Sequence, residues 1–136
     1  MGFDSRPRSR VLDALERDEP VFGAAVLTGS PAMIEAFASV ELDYVWVDLE
    51  HAGPSPYDLE AIASLARAAE TADADLLIRV PEASRTMING VVDAGADVVL
   101  VPKVESAAEA RRAVRAARFD QDGEPGGRGA PLTRSS

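Results

Sequence analysis

The sequence of 136 residues contains no cysteine. This absence excludes disulfide bonds, thiolate zinc sites, iron–sulfur clusters and cysteine nucleophiles. No apolar run approaches the ~20 residues that a membrane span needs, and Met1–Arg10 has no apolar core behind its charges. We therefore expect a soluble, cytoplasmic protein without a secretory signal and without a membrane partner.

Basic residues are also scarce, because 14 Lys and Arg face 23 Asp and Glu, and the formal net charge is −9. An acidic surface repels phosphate backbones. The one basic cluster, Arg111, Arg112, Arg115 and Arg118, is typical of the solvated face of a helix. We therefore expect no nucleic-acid partner. Hydrophobic residues make up 46 % of the chain, which is enough for one domain with a core.

Four short apolar runs predict strands that are buried on both faces of a parallel sheet. They are Val21–Leu27, Tyr44–Leu49, Leu76–Val80 and Val98–Val101. Helical segments precede and separate them. The predicted helices are Ser9–Arg17, one that starts at Ser30-Pro31, one that starts at Ser55-Pro56, Ser84–Ala94 before Gly95, and Ala107–Arg118 behind a Ser106/Glu109 capping box.

The predicted order is one helix followed by four β–α units, which indicates an α/β fold with right-handed crossovers. Two architectures fit this order: a complete open doubly wound sheet, or a (β/α)₈ barrel truncated to about its first four units. Residues 119–136 are rich in Gly, Pro and Arg and contain no closing element. This favours a half-barrel over residues 1–118, followed by a loop or disordered tail over 119–136.

Candidate chemistry lies where the predicted strands end, because parallel α/β folds collect reactive side chains there. The second strand runs into Asp48, Glu50 and His51, and His51 is the only histidine. Asp48 is placed to hold one ring nitrogen of His51 and leave the other as a base. The alternatives are a structural or solvated histidine, and carboxylates that cap the next helix.

Arg79 interrupts an apolar strand, and a buried guanidinium needs a partner. Either it forms a structural salt bridge, to Asp48 or Glu50, or it provides a fork for a substrate carboxylate or enolate oxygen. The start of the second helix, at Gly29 and Ser30, offers backbone N–H groups to an anion. Lys103 gives no sign of the desolvation that a Schiff base requires.

These residues lie in blocks that resemble the HpcH/HpaI aldolase family, the 2-oxo-3-deoxy acid aldolases related to the citrate lyase β-subunit. The blocks are Thr28-Gly29-Ser30-Pro31 with Glu35, Leu42–His51, Ile78-Arg79-Val80-Pro81, Val92–Ala96, Val101–Ser106 and Arg128-Gly129. The Asp-x-Glu-His and Arg-Val-Pro pieces together make the resemblance specific.

The resemblance implies a metal-dependent class II aldolase that cleaves 2-oxo-4-hydroxy acids to pyruvate and an aldehyde through a metal-stabilised enolate. By position, His51 is the implied base, oriented by Asp48, and Arg79 binds the pyruvyl oxygens. Gly29 and Ser30 belong to the implied substrate pocket. The implied supporting residues are Glu50 and Asp93, and the implied full-length assembly is a homo-oligomer.

The chain departs from the family pattern at the metal, which the resemblance implies to be Mg²⁺ or Mn²⁺. The family's ligands, a glutamate and an aspartate, lie on later strands beyond Ser136, so no residue here is assigned as a ligand. We therefore expect negligible activity from these 136 residues alone. The alternative function is a non-catalytic half-barrel that self-associates or complements a separate second half.

Overall fold

The structure, a computed structural model, describes residues 9–119 and 126–127. The strands are β1 (Gly23–Ala25), β2 (Tyr44–Asp48), β3 (Asp75–Arg79) and β4 (Val98–Leu100). The helices are α1 (Arg10–Glu16), α2 (Pro31–Ala36), α3 (Leu59–Thr71), α4 (Arg85–Ala94) and α5 (Ala107–Ala117), and a 3₁₀ turn, Phe37–Val40, follows α2. The predicted order of one helix and four β–α units is confirmed.

Side chains at the helix starts explain where most helices begin. The hydroxyl of Ser84 accepts from the backbone N–H of Met87 at the start of α4. The hydroxyl of Ser106 accepts from the N–H of Glu109 at 3.1 Å at the start of α5. Each contact satisfies one of the donors that a helix N-terminus leaves without an intrahelical partner.

The predicted start of α3 at Ser55-Pro56 is wrong, because the helix begins at Leu59 behind an Asp58 cap. The carboxylate of Asp58 accepts from the N–H of Ala61 at 3.0 Å. Ser55 instead forms a turn, in which its carbonyl accepts from the N–H of Asp58 at 3.0 Å. Ser55-Pro56 therefore forms a turn that precedes the capping residue, Asp58.

The sheet is parallel and its spatial order is β1-β2-β3-β4, the same as the chain order. A doubly wound sheet reverses direction from its first strand and carries helices on both faces. Here α2 to α5 pack side by side in sequence, so the helices cover a single face. The doubly wound alternative is therefore wrong, and the arrangement is that of four successive units of a barrel.

The covered face of the sheet forms the hydrophobic core. Val45 and Val47 of β2 and Leu76 and Ile78 of β3 are fully buried beneath the helices. They belong to one cluster with apolar side chains of the helices, including Ile34, Ile62, Leu65, Ile88 and Val91. Burial of each large aliphatic side chain contributes about 1.5–3 kcal/mol. The helix-facing half of each strand thus stabilises the fold.

The opposite face of the sheet carries side chains that no helix covers among the described residues. We call Ala25, Trp46, Leu77, Val98 and Leu100 the open face. Strand pairing sets them on one side, since Ala25 pairs with Trp46 and Leu77 pairs with both Trp46 and Val98. The inside of a barrel is built from such a layer.

Strand β1 is shorter than the predicted Val21–Leu27, because among the described residues it pairs only with β2, and only over Gly23–Ala25. Two further backbone hydrogen bonds extend the pairing. The carbonyl of Phe22 accepts from the N–H of Asp43, and the N–H of Val26 donates to the carbonyl of Trp46. Gly23 lies against the ring of Tyr44, and a Cβ atom there would come within 2.4 Å of the ring. A glycine at this position therefore lets the two strands pair.

Helix α1 lies at the amino-terminal end of the sheet, where Asp75 holds its first turn. One carboxylate oxygen of Asp75 accepts from the hydroxyl of Ser9 at 2.5 Å and from the N–H of Val11 at 2.9 Å. This buried carboxylate is thus satisfied by neutral donors. The helix is tied to the sheet by its N-terminus.

The predicted tail lies mostly outside the described residues, as does Arg128-Gly129. Within its described part, Gly127 contacts the helices: its N–H donates to the carbonyl of Arg115 at 2.7 Å. Its carbonyl accepts from the guanidinium of Arg85 at 2.7 and 3.0 Å. Across the described ranges, none of the helices has the length and apolar composition to cross a bilayer.

Candidate functional site

Polar side chains converge where β2, β3 and β4 end. Asp48 is the last residue of β2, and Glu50 and His51 follow it. Arg79 is the last residue of β3, and Lys103 follows β4. We call these five residues the rim cluster. Parallel pairing brings them together because β2 and β3 end in register, with Asp48 paired to Arg79.

Asp48 and Arg79 form a two-point ion pair at the centre of the rim cluster. Nε of Arg79 donates to Oδ1 of Asp48 at 2.9 Å, and Nη2 contacts Oδ2. The guanidinium, assisted by the backbone N–H of Glu50, lowers the pKa of Asp48 to about 2, against the opposing effect of desolvation. The same pairing raises the pKa of Arg79. Both groups are therefore charged at neutral pH.

Glu50 joins the three strand ends, because its carboxylate lies near three nitrogen atoms. The distances are 3.4 Å to Nε of Arg79, 3.3 Å to Nζ of Lys103 and 3.6 Å to Nε2 of His51. Only 10 % of the Glu50 side chain is exposed. A carboxylate this buried needs partners, and here they are the side chains of the rim.

His51 lies at the rim, as predicted, but Asp48 does not hold its ring. The carboxylate of Asp48 accepts from the backbone N–H of His51, and its side-chain partner is Arg79. The imidazole lies beside Glu50 instead, and 70 % of the side chain is exposed. The reason is strand alternation: Asp48 points to the same face as Arg79, whereas His51 lies in the loop beyond the strand.

Trp46 packs against the rim cluster on the sheet side, although it was not among the residues predicted from the sequence. The guanidinium carbon of Arg79 lies 5.3 Å from the centroid of the Trp46 ring, a cation–π contact. Nε1 of Trp46 is buried and has no hydrogen-bond partner among the described residues. Its position two residues before Asp48 on a strand was the available signal.

Lys103 also belongs to the rim cluster, and its contact with Glu50 was not predicted from the sequence. Its backbone has a φ of 55°, which is unusual for a residue with a side chain. Its side chain is exposed except for the contact with Glu50. The signal was its position directly after a strand end, where side chains of neighbouring strands meet.

The predicted pocket residues Gly29 and Ser30 lie in the loop after β1, next to the loop after β2. A Cβ atom on Gly29 would lie 3.1 Å from the Pro54 ring and 3.3 Å from Cα of Gly53. Gly29 also has a φ of 63°, which glycine adopts without strain. The two loops therefore pack together at the rim, and the chain from Gly53 leads back to His51.

The predicted supporting residue Asp93 lies elsewhere. It occupies the last turn of α4, which starts at the carboxyl end of β3 and returns to the opposite edge of the sheet. The rim cluster therefore lies at the carboxyl end of the sheet, and Asp93 lies at its amino end. The structure brings together Asp48, Glu50, His51 and Arg79, but not Asp93.

The described residues do not fit a divalent metal ion on their own. Over residues 9–119 and 126–127, no three His, Asp or Glu side chains are arranged to hold one. The two carboxylates of the rim cluster, Asp48 and Glu50, are already paired with Arg79 and Lys103. A metal prefers oxygen ligands that cations do not occupy.

A family model for HpcH/HpaI aldolase/citrate lyase matches residues 24–131. A hydroxypyruvate/pyruvate aldolase of Paraburkholderia phytofirmans is 37 % identical over 122 residues, covering 85 % of this chain and 46 % of that protein. A 4-hydroxy-2-oxovalerate aldolase of Rhodococcus jostii is 34 % identical, covering 89 % and 46 %. The chain thus spans about half the length of the curated relatives it matches.

Solved structures give the same result. An HpcH/HpaI aldolase from Desulfitobacterium hafniense matches with a TM-score of 0.76 and 31 % identity, over 89 % of this chain and 45 % of that one. A family protein from Burkholderia cenocepacia matches with a TM-score of 0.79 and 32 % identity, over 90 % and 48 %. The prediction of a barrel-type α/β fold represented by about its first half is confirmed.

Proposed function

The chain belongs to the HpcH/HpaI aldolase/citrate lyase family, and on that premise we propose that it supplies the oxo-acid-binding half of a carbon–carbon lyase. The proposed reaction is the cleavage of a 2-oxo-4-hydroxy acid to pyruvate and an aldehyde. One observation carries the proposal: the rim cluster sets a paired guanidinium and an exposed imidazole at the same edge of the sheet.

Arg79 is the proposed binding group for the pyruvyl oxygens. Its guanidinium is held before any substrate arrives, by Asp48 in the plane of the fork and by the face of Trp46. A cation that is already ordered loses less entropy on binding than a mobile one. As the bond breaks, negative charge grows on the enolate oxygen, and the guanidinium stabilises that charge.

His51 is the proposed general base. Its imidazole takes the proton of the C4 hydroxyl, directly or through one water molecule. The C3–C4 bond then breaks, C4 leaves as the aldehyde, and the bonding electron pair becomes the pyruvate enolate. Protonation of the enolate at C3 gives pyruvate. The carboxylate of Glu50, 3.6 Å from Nε2 of His51, is proposed to orient the imidazole for this transfer.

Asp48 and Glu50 are proposed as positioning residues, and the loop of Gly29 and Ser30 as a wall of the substrate pocket. Asp48 holds Arg79, and Glu50 ties Arg79 to His51 and Lys103. For Asp93 we retain only the proposal that it anchors a neighbouring loop or subunit. We also retain the division at residue 118 between the half-barrel and the following segment.

A divalent ion, Mg²⁺ or Mn²⁺, belongs to the activity proposed for the whole protein, where it would act as a Lewis acid on the oxo acid. The described residues supply no complete set of ligands, so no step above is assigned to the ion. The proposed partner is a small 2-oxo acid, because the Arg79 guanidinium has five N–H donors and Asp48 takes only part of them, through Nε and Nη2. A homo-oligomer is proposed for the full-length form.

Binding is tested by titrating oxalate, an analogue of the pyruvate enolate, into the chain while the fluorescence of Trp46 is recorded. Trp46 is the only tryptophan and lies against Arg79, so occupancy of the site changes its emission. Arg79→Lys keeps the charge but loses the fork, and we expect binding weakened by about tenfold or more. Arg67→Lys, on the exposed side of α3, is the matched control and leaves binding unchanged.

Activity is measured as pyruvate release from a 4-hydroxy-2-oxo acid with Mg²⁺ or Mn²⁺ present. We expect negligible release from the chain alone, and release when the remaining half of the Paraburkholderia phytofirmans relative is added. In that mixture His51→Ala lowers turnover by about 10²- to 10⁴-fold without loss of stability. A mixture that forms a stable complex yet releases no pyruvate contradicts the proposal.

A further inference from the structure

An open cavity of about 340 Å³ lies between α4 and α5. Both helices that form its walls are described, and they pack against each other. None of the residues that line it belongs to the rim cluster. Its volume lies at the lower end of the range for small-ligand pockets, which begins at about 300 Å³. The cavity is therefore large enough for a small molecule and is separate from the candidate site.

Arginine side chains dominate the polar lining of this cavity. Arg85 is the first residue of α4, and Arg112 and Arg115 lie three residues apart on α5, so these two share one side of that helix. The sequence groups Arg112 and Arg115 with Arg111 and Arg118 in one basic cluster. The structure divides that cluster, because neither Arg111 nor Arg118 lines the cavity.

No carboxylate among the described residues compensates the positive charge of the cavity. None of the lining residues is acidic, and none of the ion pairs within residues 9–119 and 126–127 includes Arg112 or Arg115. Glu109, the only acidic residue of α5, accepts from the backbone N–H of Glu105 at 2.8 Å at the start of the helix. Three like charges around one cavity repel one another, and a bound anion relieves that repulsion.

The guanidinium of Arg85 is held in place before any ligand binds. Its Nε and Nη2 donate to the carbonyl of Gly127 at 3.0 and 2.7 Å, and the N–H of Gly127 donates to the carbonyl of Arg115 at 2.7 Å. These contacts use only part of the five N–H donors of a guanidinium, so the others are available to an anion. A cation that is ordered in advance loses less entropy when it binds a ligand.

The lining favours a phosphate group over a single carboxylate. A phosphate monoester carries a charge of about −1.5 to −2 and three strong acceptor oxygens, so it can accept from guanidiniums that come from two helices. A carboxylate presents two oxygens in one plane and suits a single guanidinium fork. Ala83, Ala116 and two glycines complete the lining, and their small side chains leave room for an organic group.

We propose that this cavity binds a small metabolite that carries a phosphate monoester, with the phosphate held by Arg85, Arg112 and Arg115. A small molecule is favoured over a nucleic acid because the chain as a whole has a net charge of −9 and repels long polyanions. The inference rests on the cavity and its charges, and it is independent of the proposed reaction.

The experiment is isothermal titration calorimetry of the intact chain at low ionic strength, with glycerol 3-phosphate as the probe. We expect saturable binding of one molecule per chain. Inorganic phosphate, which lacks the organic group, should compete with the probe and bind more weakly. Added salt should weaken the binding of both, because exposed charges are screened.

Three variants locate the site. Arg112→Gln and Arg115→Gln each remove one lining guanidinium from an exposed position, and we expect each to weaken binding of the probe by about tenfold or more. Arg111→Gln is the matched control, because it removes the same charge from the same helix outside the cavity, and it should leave binding nearly unchanged. Circular dichroism checks that all three variants fold.

Four results would overturn the proposal. They are an absence of saturable binding at millimolar probe, full binding in both Arg112→Gln and Arg115→Gln, an equal loss in Arg111→Gln, and equal affinities for inorganic phosphate and glycerol 3-phosphate. The third result would mean that the probe responds only to the overall charge of α5. The fourth would mean that the occupant is free phosphate and not an organic monoester.

Discussion

The two ends of the sheet use their carboxylates differently. At the amino end, Asp43, Asp75 and Asp97 each accept from a backbone N–H of a neighbouring segment, those of Phe22, Val11 and Leu76 respectively. At the carboxyl end, Asp48 and Glu50 are paired with cationic side chains. One end therefore uses negative charge to tie the chain together, and the other uses it to hold cations.

The two ends of one sheet therefore have different roles, one in stability and the other in the proposed chemistry. A carboxylate that accepts from backbone N–H groups of another segment holds that segment in place. A carboxylate bonded to a guanidinium keeps a cation ordered and desolvated, and such a cation can exchange part of its contacts for a substrate oxygen. We expect substitutions at the amino end to act on folding and those at the carboxyl end to act chiefly on binding.

The largest effect on stability is expected at the amino end. Asp75→Ala removes the acceptor of the Ser9 hydroxyl and the Val11 N–H, and the free energy of unfolding should fall by about 2–3 kcal/mol. Denaturant unfolding measures this loss, and amide exchange should show faster exchange in α1. Asp73→Asn removes only an exposed ion pair with Arg10 of the same helix, α1, at a side chain that is 83 % exposed; it is the comparison and changes stability by less than about 1 kcal/mol. Equal losses in the two variants would contradict the tethering role.

At the carboxyl end, Asp48→Asn removes the carboxylate that pairs with the Arg79 guanidinium at two points. Because that cation is partly exposed and retains Glu50, the expected loss of stability is smaller, about 1–2 kcal/mol at neutral pH. Oxalate binding should weaken more than this loss explains, since Arg79 is no longer held. Normal oxalate affinity in this variant would show that Asp48 does not position Arg79.

The Asp48 pair also sets a pH dependence. The pKa of Asp48 is lowered in the folded state from 3.8 to about 2, so its contribution to stability is present above the unfolded-state value. That contribution is lost as the pH falls from about 4 to about 2. The difference in unfolding free energy between the native chain and Asp48→Asn should therefore shrink across this window. A difference that stays constant down to pH 2 would contradict the assignment.

The smallest effect is expected for Glu50→Gln, which removes charge but preserves shape. We expect a change in stability of at most about 1 kcal/mol, together with altered NMR shifts of the His51 ring. His51 is the only histidine, so its ring signals are unambiguous. Glu60→Gln, in the first turn of α3, is the control. Unchanged His51 signals would mean that Glu50 and the imidazole do not interact in solution.

The parts of the fold that were predictable are those with a local or periodic cause. Ser84 and Ser106 mark their helices because the caps are short-range contacts. The start of α3 was missed because Ser55-Pro56 and Asp58 are both valid local signals, and only the packing of the helix against the sheet decides between them.

The residues of the candidate site could be predicted from the sequence, but most of the contacts between them could not. Strand ends identified Asp48, His51 and Arg79, and the structure brings them to one rim. The partner of each was decided by the sheet. Asp48 and Arg79 are 31 residues apart in the chain, and the parallel register places them side by side. Trp46 beneath Arg79 follows from the same register.

The sequence by itself determined the alternation of strands and helices, the absence of thiol chemistry and the small set of residues that can carry charge at the strand ends. These depend on composition and on short periodic patterns. Only the tertiary structure decided that Arg79 pairs with Asp48, that Glu50 joins three strand ends, and that no helix within residues 9–119 and 126–127 covers one face of the sheet. The reason is that strand pairing acts between distant segments, and no local pattern encodes its register.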